Sequence, residues 1–136
     1  MTRINIIPAE ELTDQHLIAE YREIFMVRPA LLRSMCAKNG VYGIPDKYTL
    51  NKGHVKFFYD KGLYLEKRYT ELREEMLCRG MNPDPARIFK PFPIGFHNDW
   101  VPSSEEQEIA RNRIKIRISE KPEYYRYYRS PLSGVF

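Results

Sequence analysis

A chain of 136 residues, 43% of them hydrophobic, can bury one modest core, so a single domain over residues 1–136 is expected and two independent folding units are not. No apolar run approaches the roughly 18 residues of a membrane span, and the start MTRINIIPAEEL lacks the apolar core and cleavage site of a signal peptide, so an intracellular, cytoplasmic protein without membrane contact is expected. The formal charge is only +4, yet Ile109 to Arg129 carries seven basic residues against Glu120 and Glu123, a net of +5 that leaves the other 115 positions at −1. A basic end on a near-neutral body is the footprint of a protein that touches phosphates.

In chain order, Thr13 is a plausible N-cap, and Leu17, Ile18, Tyr21, Ile24 and Phe25 then fall on one face of a helix. The opposite face carries Gln15, His16, Ala19, Arg22, Glu23 and Met26. Pro29 is expected to kink or interrupt this helix, which resumes through Ala30, Leu31 and Leu32 to about Ala37. Residues 38–60 read as loop with one short turn, given three glycines, one proline and scattered aromatics. A second helix is expected through Leu65, Tyr69, Leu72 and Met76, with Glu75 and Arg79 paired four apart and Gly80 as the stop. Five of the ten prolines lie between Met81 and Pro102, interleaved with Phe89, Phe92, Phe96 and Trp100. Four aromatics predict an ordered, irregular strap packed over the helices. Residues 113–119 alternate like a strand, yet they follow the capping-box sequence Ser103-Ser-Glu-Glu106 and lie between Pro102 and Pro122. As a helix this segment aligns Ala110, Ile114 and Ile118 on one stripe and Arg113, Arg117 and Lys121 on another. A cationic ladder of that kind repels itself unless an anion lies alongside. Cys36 and Cys78 form no CxxC pair and are expected as buried, reduced thiols.

Three groups are candidates for chemistry. Glu23 has Ala19, Glu20, Met26 and Val27 at the positions three and four residues away, none of them a cation, while Arg22 is adjacent and Arg3 reaches it if the amino-terminal segment folds back. Met1 precedes the small Thr2, which permits removal of the initiator. The exposed α-amine then has a reference pKa of about 7.7–8.0, so about a tenth of it is a neutral nucleophile at pH 7, far more than of any ordinary lysine. The tail Tyr124-Tyr125-Arg126-Tyr127-Tyr128-Arg129 follows the basic ladder. Its rings suit base stacking and its arginines suit phosphates, or two of the tyrosines pack into the core and the rest decorate the surface. His54, Asp60, His97 and Asp99 lack the repeated spacing of metal ligands and read as structural or surface groups.

The blocks MTRIN, ELTDQHLIAEYREI, GHVKFFYDKG and KPEYYRYY, in this order and over most of the chain, resemble the pyrimidine-dimer DNA glycosylase family of the phage endonuclease V type. The resemblance implies an all-α fold: a single compact domain of three main helices with long ordered loops, residues 103–121 being helical. It implies a repair enzyme and abasic-site lyase that excises ultraviolet-induced cyclobutane pyrimidine dimers from double-stranded DNA, with no cofactor and no metal. Such an enzyme works at the nucleoid, here as an expected monomer. By the same resemblance the α-amine of Thr2 forms a Schiff base with the sugar, Glu23 is the essential carboxylate, and a base opposite the lesion is flipped. Arg3, Arg22, Gln15 and His16 then support the site. Arg113, Arg117 and Lys121 bind phosphates, and Tyr124, Tyr125, Arg126, Tyr127 and Tyr128 form the DNA-contacting segment. The sequence departs from the family pattern at Met26, where the founding member has arginine, at Tyr124 in place of tryptophan, and at Arg129 in place of glycine. Readings from other classes are a non-catalytic damaged-DNA-binding module and a metal nuclease built on His97 and Asp99.

Overall fold

In the computed structural model, which describes residues 3–131, helix α1 spans Asp14–Cys36. The Thr13 hydroxyl accepts the His16 N–H, satisfying one of the donors that every helix start leaves unpaired. Leu17, Tyr21, Ile24, Val27 and Leu31 make the buried face. Pro29 does not interrupt the helix, and α1 runs through it. Proline forfeits a single helical hydrogen bond, and Pro29 is exposed on the outer side of α1, where that loss costs least.

One turn, α2 (His54–Phe57), precedes α3 (Gly62–Cys78), whose Leu65, Leu72 and Met76 pack toward α1. Gly80 takes φ +79° and ends α3, with the Met81 N–H donating back to the Met76 carbonyl at 2.9 Å. At the other end Gly62 admits the strap: a Cβ there would lie 2.6 Å from Phe92 and from His97. The strap's Phe89 and Phe92 are buried, and Phe96 and Trp100 pack against the core, as four aromatics require. Helix α4 spans Ser104–Glu120 and opens with a complete capping box between Ser103 and Glu106, so the helical reading of residues 113–119 holds and the alternation is incidental. Ala110 and Ile114 are its buried anchors. The tail closes as a two-residue hairpin, β1 (Arg126–Tyr127) with β2 (Ser130–Pro131). The described residues are thus mainly helical, three helices being long and the loops ordered around them. Cys36 and Cys78 are both exposed, contrary to expectation: Cys36 ends α1 beyond its last buried residue, Leu31, and Cys78 falls on the face of α3 opposite the buried Met76.

A buried ion pair ties the layers together. Glu20 is fully buried on α1 and accepts both the backbone and side-chain N–H of Asn5 as well as two N–H groups of Arg68, the closer at 2.5 Å. Arg68 also donates to the Ile7 carbonyl. Replacing Arg68 by alanine leaves the Glu20 charge buried without a counter-charge, and we expect a loss of about 3–5 kcal/mol in urea-unfolding free energy. A loss below about 1 kcal/mol would mean that water or Asn5 alone satisfies Glu20.

Candidate active site

The amino-terminal segment is threaded through the protein instead of lying on it. Ile4, Ile6 and Ile7 are buried. The Ile4 N–H donates to His54 Nε2 at 2.9 Å, and the Ile4 carbonyl accepts the Tyr48 hydroxyl at 2.7 Å. His54 Nδ1 lies 2.8 Å from the Thr49 carbonyl, which assigns its proton to Nδ1 and leaves Nε2 as the acceptor. Burial, with a smaller contribution from the charges of Arg3 and Arg113, pushes His54 down to about 4, against the pull of the Thr49 bond, so the imidazole is neutral at pH 7, as this arrangement demands. His54 therefore anchors the strand that delivers Arg3, whose Nε donates to the Leu50 carbonyl.

Arg3 opens onto a cavity of about 290 Å3 that it lines with Asn5, Gln15, His16, Ala19, Arg113, Arg117, Tyr124 and Tyr125. Four parts of the chain meet there: the amino terminus, the first turns of α1, the middle of α4 and the tail. His16 is buried and stacks flat on Tyr125, with ring centroids 4.8 Å apart and planes 4° from parallel. Burial first, then the charges of Arg113 and Arg117, pushes His16 down to about 4, so it too is neutral at pH 7. Burial and the positive charges of Arg117 and Arg3 lower the proton affinity of Arg113, although a guanidinium stays charged in any case. Three guanidinium groups crowded around one concavity are mutually repelled, and an anion entering among them relieves all three.

Glu23 lies one turn beyond Ala19 on the same face of α1 and is half-buried, with Arg22 exposed beside it. Met26 continues that face and is 60% exposed. Lys121 is the C-cap of α4, exposed and outside the cavity lining. The tail divides in two. Gln15 donates to the Tyr124 carbonyl and accepts the Arg126 N–H, both at 2.8 Å, which presents Tyr124 and Tyr125 to the cavity. The Arg126 guanidinium folds back onto the Glu123 and Tyr125 carbonyls. Tyr127 and Tyr128 stand away from the cavity, each ring 4.8 Å from the Arg79 guanidinium. Thr2 lies outside the described residues. His97 contacts Glu66 and Asp99 pairs with Lys67, so the two candidate nuclease residues serve different contacts.

A model of one protein family, described as pyrimidine dimer DNA glycosylase, matches residues 1–89. That span contains Arg3, Gln15, His16, Arg22 and Glu23 and covers more than half of the chain. The chain belongs to the pyrimidine dimer DNA glycosylase family. Its substrate is DNA, and the cationic cavity has the charge that such a substrate requires. In this glycosylase no helix among the described residues is long and apolar enough to cross a membrane. The supporting roles of Glu20 and His54 escape sequence reading. Glu20 and Arg68 did leave a signal, since each is a charged residue on an apolar helical stripe, between Leu17 and Ile24 and between Leu65 and Leu72. His54 left none.

Proposed function

We propose that this glycosylase removes cyclobutane pyrimidine dimers with its own amino terminus as the nucleophile, and then nicks the strand as an abasic-site lyase. With Met1 removed, the α-amine of Thr2 attacks C1′ of the damaged sugar. A bond from nitrogen to C1′ forms as the glycosidic bond breaks and the departing base takes up a proton; the sugar ring then opens at C1′–O4′, O4′ taking up a proton, which leaves a protonated imine at C1′. Withdrawal of a C2′ proton expels the 3′ phosphate by β-elimination, and water then releases the enzyme. Glu23 is the carboxylate suited to steady the cationic sugar and to carry protons, because it lies on the α1 face that leads into the cavity and beside Arg22. Arg3, Arg113 and Arg117 grip the flanking phosphates, with Lys121 and Arg22 at the margin, and Tyr124 and Tyr125 supply ring surface for unstacked bases. Arg126, Tyr127 and Tyr128 belong to the same DNA-contacting segment in this reading.

The observation that carries the proposal is Arg3. Buried bonds to the residues that follow it hold this arginine at the cavity wall, one residue after the proposed nucleophile. No step in this scheme calls on a metal. Sodium borohydride added with dimer-containing duplex in excess EDTA is expected to yield a covalent protein–DNA species of one-to-one stoichiometry. Nicking that disappears in EDTA and returns with magnesium, or active protein that never traps, would overturn the scheme.

A further inference from the structure

We propose that Asp14 is a positioning residue for DNA: it locks the tail turn that holds Tyr124 and Tyr125 as one wall of the cavity. This rests on the reading that the cavity grips DNA. Asp14 is the first residue of α1, where a carboxylate ordinarily faces its own helix's free N–H groups. Here it faces the far end of the chain. Oδ1 accepts the Tyr128 N–H at 3.1 Å and Arg79 Nη1 at 3.0 Å, and Oδ2 accepts the Arg129 N–H at 2.7 Å. Two consecutive backbone N–H groups thus cradle one carboxylate, an anion-binding nest formed within the protein. The residues that supply them have φ +49° and +66°, a left-handed conformation that side-chain-bearing residues keep only when their surroundings impose it. Arg129 carries a side chain in a conformation that glycine adopts far more readily, so the carboxylate stabilises a turn that the residue type opposes.

The surroundings reinforce the latch. Arg79, fully buried at its side chain and paired with Asp14, lies against both the Tyr127 and Tyr128 rings, whose centres are 4.9 Å apart. The Tyr127 hydroxyl donates to the Glu10 carbonyl, the Tyr128 hydroxyl to Glu75, and the Arg129 guanidinium to the Gly80 carbonyl. From this fixed turn the chain leads back through the Gln15 clip to Tyr125, stacked on His16. Asp14 touches no cavity residue's ring itself and lines no part of the cavity. It acts on DNA through the tail.

The test compares full-length wild type with Asp14→Asn, which puts an amide N–H against N–H donors, and with Asp14→Glu, which keeps the charge for Arg79 but displaces it from the nest. Trypsin should cut after Arg126 and Arg129 about tenfold faster in Asp14→Asn, and KM for dimer-containing duplex should rise about tenfold, with kcat within about twofold of wild type. Asp14→Glu should shift both in the same direction by less, which keeps the test decisive should the asparagine variant not fold. In a double-mutant cycle, Asp14→Asn should add little to the KM of Tyr125→Ala, since both remove one wall. A tail that stays protected, a kcat that falls severalfold with KM unchanged, or additive effects in the cycle would overturn the assignment. Wild type that fails to cleave dimers would instead sink the functional reading. Trypsin cleavage, together with binding of a duplex carrying an abasic-site analogue, would then decide the role of Asp14.

Discussion

Glu23→Gln is expected to lower single-turnover cleavage of dimer-containing duplex by about three orders of magnitude, while the dissociation constant for the same duplex stays within about threefold. The substitution keeps the shape of the side chain and removes its charge, so it leaves packing on α1 intact. Only steps that need an anion or a proton acceptor suffer: stabilisation of positive character at C1′ and withdrawal of the C2′ proton. Binding is expected to survive because the proposed phosphate grip is that of Arg3, Arg113 and Arg117, which line the cavity from other parts of the chain. Gel-shift affinities and rapid-quench rates measured on the same preparation check this. Equal losses of affinity and rate, accompanied by a lower melting temperature, would assign Glu23 to the fold.

Blocking the α-amine is expected to abolish cleavage and borohydride trapping altogether, a larger effect than any side-chain change apart from Glu23. Acetylation eliminates the neutral amine. Retention of Met1 moves the amine by one residue, up to about 3.6 Å, well beyond the tolerance of a covalent step. The Ile4 N–H and carbonyl are tied to His54 and Tyr48, so the chain cannot simply slide to compensate. Thr2→Ser and Thr2→Ala should keep activity when Met1 is removed, because the hydroxyl has no part in the bond that forms. Mass-verified protein with a blocked terminus and free lysines is the decisive sample. Full cleavage and trapping by it would assign the covalent step to a lysine.

The local elements were legible because their signals are local. Thr13 and Ser103 announce helix starts, Gly80 a stop, and the spacing of Leu17, Tyr21 and Ile24 a buried face, all within a few residues of one another. Blocks of sequence such as ELTDQHLIAEYREI carried the family, which the match over residues 1–89 establishes. The exposure of the cysteines and the continuity of α1 through Pro29 were not legible, since both depend on where a helix stands relative to the core and to water.

What only tertiary structure decided is which charges meet. A carboxylate at a helix start looks alike in sequence whether it faces its own helix or a turn more than a hundred residues away. Asp14 does the second, and so the tail tyrosines part company, Tyr124 and Tyr125 at the cavity and Tyr127 and Tyr128 around Arg79. Likewise Arg3, Arg113 and Arg117 converge because Glu20, Asn5 and His54 draw the amino-terminal segment through the core beside α4. The residue types, their spacing along each helix and the family were determined by the sequence alone. The cavity was not, because it is made by long-range hydrogen bonds and burial, and a local pattern carries no record of either.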